Sequence, residues 1–364
     1  MNTTEKPVQY SSPKKVVITV LIALVLGLLA NIVITFFVGF ESFAGALLKI
    51  RPEHVIVPFL LYILIYVIDS FRLKLVLSQF HVKVKFSDAF VNSLLGYFFA
   101  YLTPMATGGQ PFQIYHLKRI GVCSKISTNV IATRFVEYLG SAILLTLIFI
   151  PSVIPVIGST GADTGFIFIG FAVSVAASIG IFLLFIRPDW IGRLLLALEK
   201  SFIGRLITRL SKKTNWGEAA HSWSRDLKKS IAFLWREKFV IVLIDLFLCI
   251  AVLGIQVFSL TWILTNLLTI HINFLQIFVI ILLLNLVVYY IPSPGAAGGL
   301  EGVFTMVFSY YTGVPELSFV AVVVWRFATY YMQIFFGLVV FFLIRRRGIL
   351  TPHRREPLPD PDTK

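Results

Sequence analysis

Long apolar runs separated by short polar punctuation dominate this chain. Six of them, at 16–38, 55–77, 127–150, 165–186, 239–268 and 319–344, each supply the roughly 20 apolar residues that one bilayer crossing needs. Two further runs, at 89–102 and 274–291, end in TPMATGGQP and PSPGAAGG. Proline with a glycine pair breaks a helix, and the chain then resumes at 112–117 and 300–312. A break inside the hydrocarbon leaves backbone groups that only protein or a watery cavity can satisfy. The pattern therefore predicts an all-α polytopic membrane protein with six full spans and two re-entrant broken-helix hairpins, near 89–118 and 274–312.

The basic residues orient these elements. Arg72, Lys74, Lys83 and Lys85 precede the first hairpin, and Lys118, Arg119 and Lys125 follow it. The flanks of the second hairpin, 269–273 and 313–318, carry no Lys or Arg. Because Lys and Arg collect on the cytoplasmic side, the first hairpin is expected to enter from inside and the second from outside. Lys49 and Arg51 are the exceptions to the rule. The layout is then a cytoplasmic N-terminus (1–15), a first membrane half (16–186), a basic cytoplasmic insert (187–238), a second half (239–347) and a polar, Pro-rich cytoplasmic tail (348–364) expected to be disordered. The insert carries twelve Lys and Arg with Leu194, Leu195, Leu198 and Phe202 at helical spacing. It reads either as amphipathic helices on the membrane surface or as a solvated linker helix. Lys14 and Lys15 precede a first run too long for a signal peptide, so that run is expected to be retained.

The two breaks match one another. Thr103-Pro104 and Ser293-Pro294 each precede, with three residues between, a glycine pair, Gly108-Gly109 and Gly298-Gly299. Gly121-Val122 and Gly313-Val314 follow, then Arg134-Phe135 and Arg326-Phe327 thirteen residues beyond those glycines, and Tyr138 and Tyr330 four residues past each Arg. Such self-similarity marks an internal repeat. With the charge rule it becomes an inverted-topology repeat, the architecture of secondary transporters, whose broken helices meet near the midplane.

Two features of the repeat bear chemistry. A half-helix that starts at a glycine pair presents unpaired, partly positive N–H groups suited to phosphate or carboxylate; equally, the glycines can be close-packing turns. Arg134 and Arg326 lie within apolar spans, where an arginine costs roughly 2.5–3.5 kcal/mol and so needs a partner. Guanidinium matches phosphate oxygens in a two-pronged fashion. The competing assignments are structural ion pairs, Arg134 with Glu137 at i+3 and Arg326 with Glu301, for which the first copy has Pro111. Asp69 and Arg72 suggest a structural i,i+3 pair near the interface. Asp245 is either a proton or cation relay or a residue facing a polar bundle interior. Tyr97, Tyr101, Tyr115, Tyr289 and Tyr290 border the breaks and can line a cavity or simply pack.

Composition narrows the classes. Apolar residues make up 57% and charged residues 14% of the 364, against about 25% charged in soluble domains. Lys and Arg number 32 and Asp and Glu 18, a net charge of +14, which the loop distribution and anionic lipid account for without nucleic acid. Two distant cysteines and six scattered histidines give no metal or disulfide pattern, and no P-loop or GxSxG elbow is present. No cofactor and no metal are expected.

The segment TPMATGGQPFQIYHLKRIGV with the Arg134 helix, and PSPGAAGGLEGVF with the Arg326 helix, resemble the lysylphosphatidylglycerol synthase transmembrane family, also called flippase-like proteins. The resemblance runs from the first span to Arg347 and implies movement of a lipid between leaflets of a bacterial plasma membrane. Relatives often carry an acidic residue after the first glycine pair, where this chain has Gln110-Pro111. In multiple-peptide-resistance members a soluble half attaches lysine to phosphatidylglycerol; the 17 residues after Arg347 leave no room for one, so a non-enzymatic protein is expected. The expected function is a lipid translocase with anionic or aminoacylated phospholipids as partners and a homo-oligomer conceivable. Arg134, Arg326, Glu137, Glu301, Thr103, Pro104, Gly108, Gly109, Ser293, Pro294, Gly298 and Gly299 are its candidate substrate-binding residues. The alternatives are a secondary transporter of a small anionic solute, or a transferase or accessory subunit acting on lipid-linked substrates.

Overall fold

A computed structural model of the chain describes residues 13–149, 151, 164–201, 216–268, 273–288 and 291–348. The expected cytoplasmic tail beyond 348, the residues before α1, Phe202, Tyr289 and Tyr290 lie outside the described residues. Within them the fold is helical: α1 (Pro13–Val38), α2 (Phe40–Leu47), α3 (Glu53–Gln79), α4 (Phe86–Leu102), α5 (Gly109–Arg119), α6 (Ser124–Phe149), α7 (Thr164–Ile186), α8 (Pro188–Lys200), α9 (Trp216–Glu237), α10 (Phe239–Leu268), α11 (Phe274–Val288), α12 (Gly299–Thr312), α13 (Pro315–Arg326) and α14 (Met332–Arg346). Five spans among the described residues are long and apolar enough to cross a bilayer: α1, α3, α6, α10 and α13–α14 taken together. α7 and α8 meet at a bend of 92°, and counting the pair as one broken span brings the number to six. The chain is an all-α polytopic membrane protein. Its outer faces are apolar, as with Leu21, Leu28, Phe36 and Phe37 on α1 and Phe247 on α10, which suits contact with lipid.

The 30-residue α10 is the yardstick for the two hairpins. Near its start, Val242 belongs to a buried cluster with Leu73, Leu77, Ala89, Leu117, Val122 and Ile126, which is where α4 and α5 leave and rejoin the bundle. Near its end, Leu264 and Leu267 belong to a cluster with Ile277, Phe308 and Val320, where α11, α12 and α13 do the same. The hairpins therefore enter from opposite ends. The first end is the basic one, carrying Lys74, Lys83, Lys85, Lys118 and Arg119.

The tips meet in the interior. Pro104 and Pro294 form an isolated antiparallel bridge between the two breaks. The breaks are also alike in backbone: φ is +54° at Met105 and +58° at Gly295, then +54° at Ala106 and +55° at Ala296. Each is closed by the same pair of bonds, Ala106 N–H to Thr103 O and Thr107 N–H to Pro104 O in one, Ala296 N–H to Ser293 O and Ala297 N–H to Pro294 O in the other. Left-handed conformations at residues other than glycine are uncommon and persist where their surroundings over-determine them. At Gly295 a side chain is doubly excluded, since a Cβ there would lie 2.1 Å from the Tyr330 ring. Gly109 has the packing role: a Cβ would sit 2.8 Å from the Gly96 carbonyl of α4, so its absence lets the two arms of the first hairpin close.

In the basic insert, α8 and α9 form an antiparallel helical hairpin. Lys228 bonds Asp189 at one end and holds that carboxyl below its usual range, and Glu199 accepts from Gly217 N–H at 3.1 Å at the other. α9 also rests on α6, with Asn129 donating to Ser230 at 2.8 Å. Both helices are strongly amphipathic, and α9 buries Leu227 and Leu234 against protein. The linker residues between them, Arg205, Arg209, Lys212 and Lys213 included, lie outside the described residues.

The Pro104–Pro294 bridge gives a direct test. Paired strand residues sit about 4.5–5.5 Å apart at Cα, within disulfide reach. With Cys123 and Cys249 replaced by Ser, the P104C/P294C protein is expected to form an intramolecular disulfide under mild oxidation, read as a gel shift. Failure to cross-link in folded protein contradicts the meeting of the tips.

Candidate functional site

Around the meeting point lies a cavity of about 260 Å³. Its walls come from both halves: Asp69 and Arg72 on α3, Tyr97 and Tyr101 on α4, Gly109, Gln110 and Gln113 on α5, Arg134 and Tyr138 on α6, Gln256 on α10, Asn285 on α11, and Trp325 and Arg326 on α13. Both repeat arginines thus face one space, one from each half.

On the first-half side the helical register of α3 places Asp69 and Arg72 one turn apart, and Arg72 Nη1 donates to Asp69 Oδ1 at 2.9 Å. Arg72 also grips Asp245 with two bonds, Nε to Oδ1 at 2.8 Å and Nη2 to Oδ2 at 3.3 Å. Arg134 Nη2 donates to Asp69 Oδ1 at 3.0 Å and to the Asp69 carbonyl at 3.1 Å. Tyr97 donates to Asp69 Oδ2 at 2.8 Å. Glu137 Oε2 stands 3.8 Å from Arg72 Nη2. Three helices, α3, α6 and α10, are stitched together by this cluster, and all five charged residues are buried.

The arrangement differs from the local pairing that spacing suggests. Arg134 bonds across to Asp69 on α3, while Glu137 turns toward Arg72. Asp69–Arg72 is the expected i,i+3 pair, but it lies in the cavity wall and carries the rest of the network. Asp245, fully buried, is a principal partner of Arg72. An isolated Asp in a span with no match in the second copy is the signal that marked it. Gln110, Gln113, Gln256 and Asn285 carry no such signal, being neutral and outside the repeat.

The second copy handles its arginine locally. Glu301 Oε1 accepts from Arg326 Nε at 2.9 Å, and its Oε2 accepts from Gly298 N–H at 2.8 Å. Arg326 Nη2 donates to the Gly295 carbonyl at 2.9 Å, and its guanidinium lies 4.0 Å from the centroid of the Tyr330 ring. A π-helical turn, Phe327–Tyr331, follows Arg326 directly; such bulges frequently mark functional sites. The expected pairing of Arg326 with Glu301 is present. Pro111 leaves the first copy no such acid, which is why Arg134 reaches to another helix.

The half-helix N-termini are more occupied than expected for free anion donors. Gly108 N–H is bonded to Thr103 Oγ1 at 2.8 Å, and Gly298 N–H to Glu301. Ser293 Oγ donates to the Ala297 carbonyl at 3.0 Å, and Pro104 and Pro294 are engaged with each other. Thr103, Gly108, Ser293 and Gly298 thus hold the turns in shape. Gly109 lines the cavity, and Gly299 packs under Ile291. Among the described residues no cluster of His, Cys, Asp and Glu suits a metal ion.

Two oppositely inserted broken helices meeting at a buried cavity walled by arginines and their acid partners define a membrane protein of the inverted-repeat class. The family model for the lysylphosphatidylglycerol synthase transmembrane region matches residues 16–337. The chain belongs to that family. It is also similar to a UPF0104 membrane protein of Methanocaldococcus jannaschii, 32% identical over 100 residues, which cover 27% of this chain and 30% of the archaeal one.

Removing one partner of a buried ion pair leaves an uncompensated charge and costs about 3–5 kcal/mol. Asp245→Ala is therefore expected to lower thermal stability in detergent by that order, and Asp245→Asn by less because the amide oxygen still accepts from Arg72. An unchanged melting temperature in Asp245→Ala contradicts the assigned role of Asp245.

Proposed function

We propose that the protein moves a phospholipid between leaflets, taking the headgroup phosphate into the central cavity while the acyl chains stay in lipid. The observation that carries this is Arg134. It is buried in a cavity wall, its Nη2 is bonded to Asp69, and its Nε has no hydrogen-bond partner among the described residues. Arg326 is better satisfied, by a carboxylate, a carbonyl and a ring. The phosphate then binds first at Arg134, with Arg326 on the far wall adding field without giving up Glu301.

The cavity volume, just below the roughly 300–1,000 Å³ of ordinary small-molecule pockets, fits a polar headgroup and leaves two acyl chains outside. Family membership supports a lipid-related role. Transport proceeds without covalent chemistry by rocking of the two halves about the Pro104–Pro294 contact, which opens the cavity toward one end at a time. The basic end faces the cytoplasm by the positive-inside rule, in the plasma membrane of a bacterium. Anionic phospholipids, aminoacylated ones included, are the proposed partners.

In liposomes carrying fluorescent phosphatidylglycerol, folded Arg134→Gln protein is expected to exchange lipid between leaflets at least about tenfold more slowly than wild type, the loss of one charge-assisted contact. Arg134→Lys recovers little, because an ammonium lacks the planar two-pronged geometry. A wild-type rate for Arg134→Gln overturns the assignment. Uptake of free inorganic phosphate into sealed vesicles, in place of lipid exchange, favours the small-anion transporter instead.

A further inference from the structure

The first-half cluster holds three carboxylates, Asp69, Glu137 and Asp245, against two guanidiniums, Arg72 and Arg134. Fully ionised, it carries one uncompensated negative charge among groups that are all buried. Asp69 accepts from Arg72, Arg134 and Tyr97, and Asp245 accepts two bonds from Arg72. Glu137 is the odd member: its side chain is 3% exposed and its Oε2 accepts no hydrogen bond. It and Asp245 face the same nitrogen, Arg72 Nη2, at 3.8 and 3.3 Å. Two buried carboxylates crowded on one guanidinium nitrogen, in a cluster one cation short, do not both ionise.

We infer that Glu137 and Asp245 share one proton, and that this proton is a co-ligand of the anion bound at Arg134. The inference rests on the phosphate-binding role of Arg134 for its second half only. When a phosphate draws Arg134 off Asp69, the cluster is left with Arg72 alone against three acids. With the shared proton its charge is then −1, without it −2. The anion is therefore held more tightly while the pair keeps its proton.

Other titratable groups near Glu137 have partners elsewhere. On α5, His116 meets Asn92 of α4; on α9, Asp226 pairs with Lys125 at the basic end; Tyr97 of α4 is bonded to Asp69. Cys249 of α10 is a buried thiol beside Arg72 and Asp245. The described side chains of α7 and α11 include no titratable group.

Infrared spectroscopy of the ligand-free wild-type protein at neutral pH is expected to show a protonated-carboxyl band, lost in both Glu137→Gln and Asp245→Asn. Should either variant fail to fold, isotope-labelled glutamate in wild type makes the assignment. Binding of a short-chain phosphatidylglycerol is expected to weaken as pH rises through the titration of the pair, approaching about tenfold per pH unit for one linked proton. In Glu137→Gln, which mimics the protonated form, the affinity no longer follows pH. Absence of the band in wild type, or an affinity indifferent to pH, overturns the inference. A band with no lipid binding at any pH leaves the shared proton standing and removes the phosphate role of Arg134.

Discussion

A guanidinium placed in the middle of an apolar bundle has to be matched by carboxylate, carbonyl or ligand oxygen, and this requirement organises the interior of the molecule. Arg72 sits between Asp69 and Asp245, Arg134 leans on Asp69, and Arg326 closes on Glu301. Apart from the Asp69–Arg72 pair within α3, these contacts tie elements together: α3 to α6 and α10 in one half, the second break to α13 in the other. The cost of burying these charges is acceptable only because the hydrogen bonds come with it. What is left unmatched, the Nε of Arg134 and the Oε2 of Glu137, is where a ligand and a proton have something to gain.

The two halves share a backbone device but not a charge solution. Their breaks adopt nearly the same left-handed turns and internal hydrogen bonds, and their tips touch, so the irregular backbone of each is shielded by the other. In the second half a single carboxylate, Glu301, caps the α12 N-terminus and holds Arg326 at once. In the first, Thr103 does the capping and Asp69 does the pairing. A ligand displacing Arg134 competes with Asp69 alone, through its carboxylate and its carbonyl, whereas displacing Arg326 gives up Glu301, the Gly295 carbonyl and the Tyr330 ring. The repeat is symmetric in scaffold and unequal in readiness to bind.

Most of the scaffold was legible in the sequence because the signals are strong ones: hydrophobic length, proline and glycine breaks, and the distribution of Lys and Arg. The opposed entry of the hairpins and the pairing of Arg326 with Glu301 follow from them. The site was less legible. Glu137 stands three residues from Arg134 and invites a local pair, yet α3 brings Asp69 to the arginine instead, a contact between residues 65 positions apart. Asp245 reaches Arg72 across 173 positions, and only the packing of α10 on α3 reveals it. The glycine pairs looked like open anion sites. Thr103 and Glu301 fill them because an unpaired amide inside a bundle is expensive.

The central claim is that the cavity between the tips holds the phosphate of a lipid at Arg134. Native mass spectrometry of the protein, released from mild detergent after incubation with mixed anionic and zwitterionic phospholipids, addresses it most directly. The account predicts one anionic phospholipid retained per chain and lost in folded Arg134→Gln protein. Equal retention of anionic lipid by wild type and Arg134→Gln contradicts it.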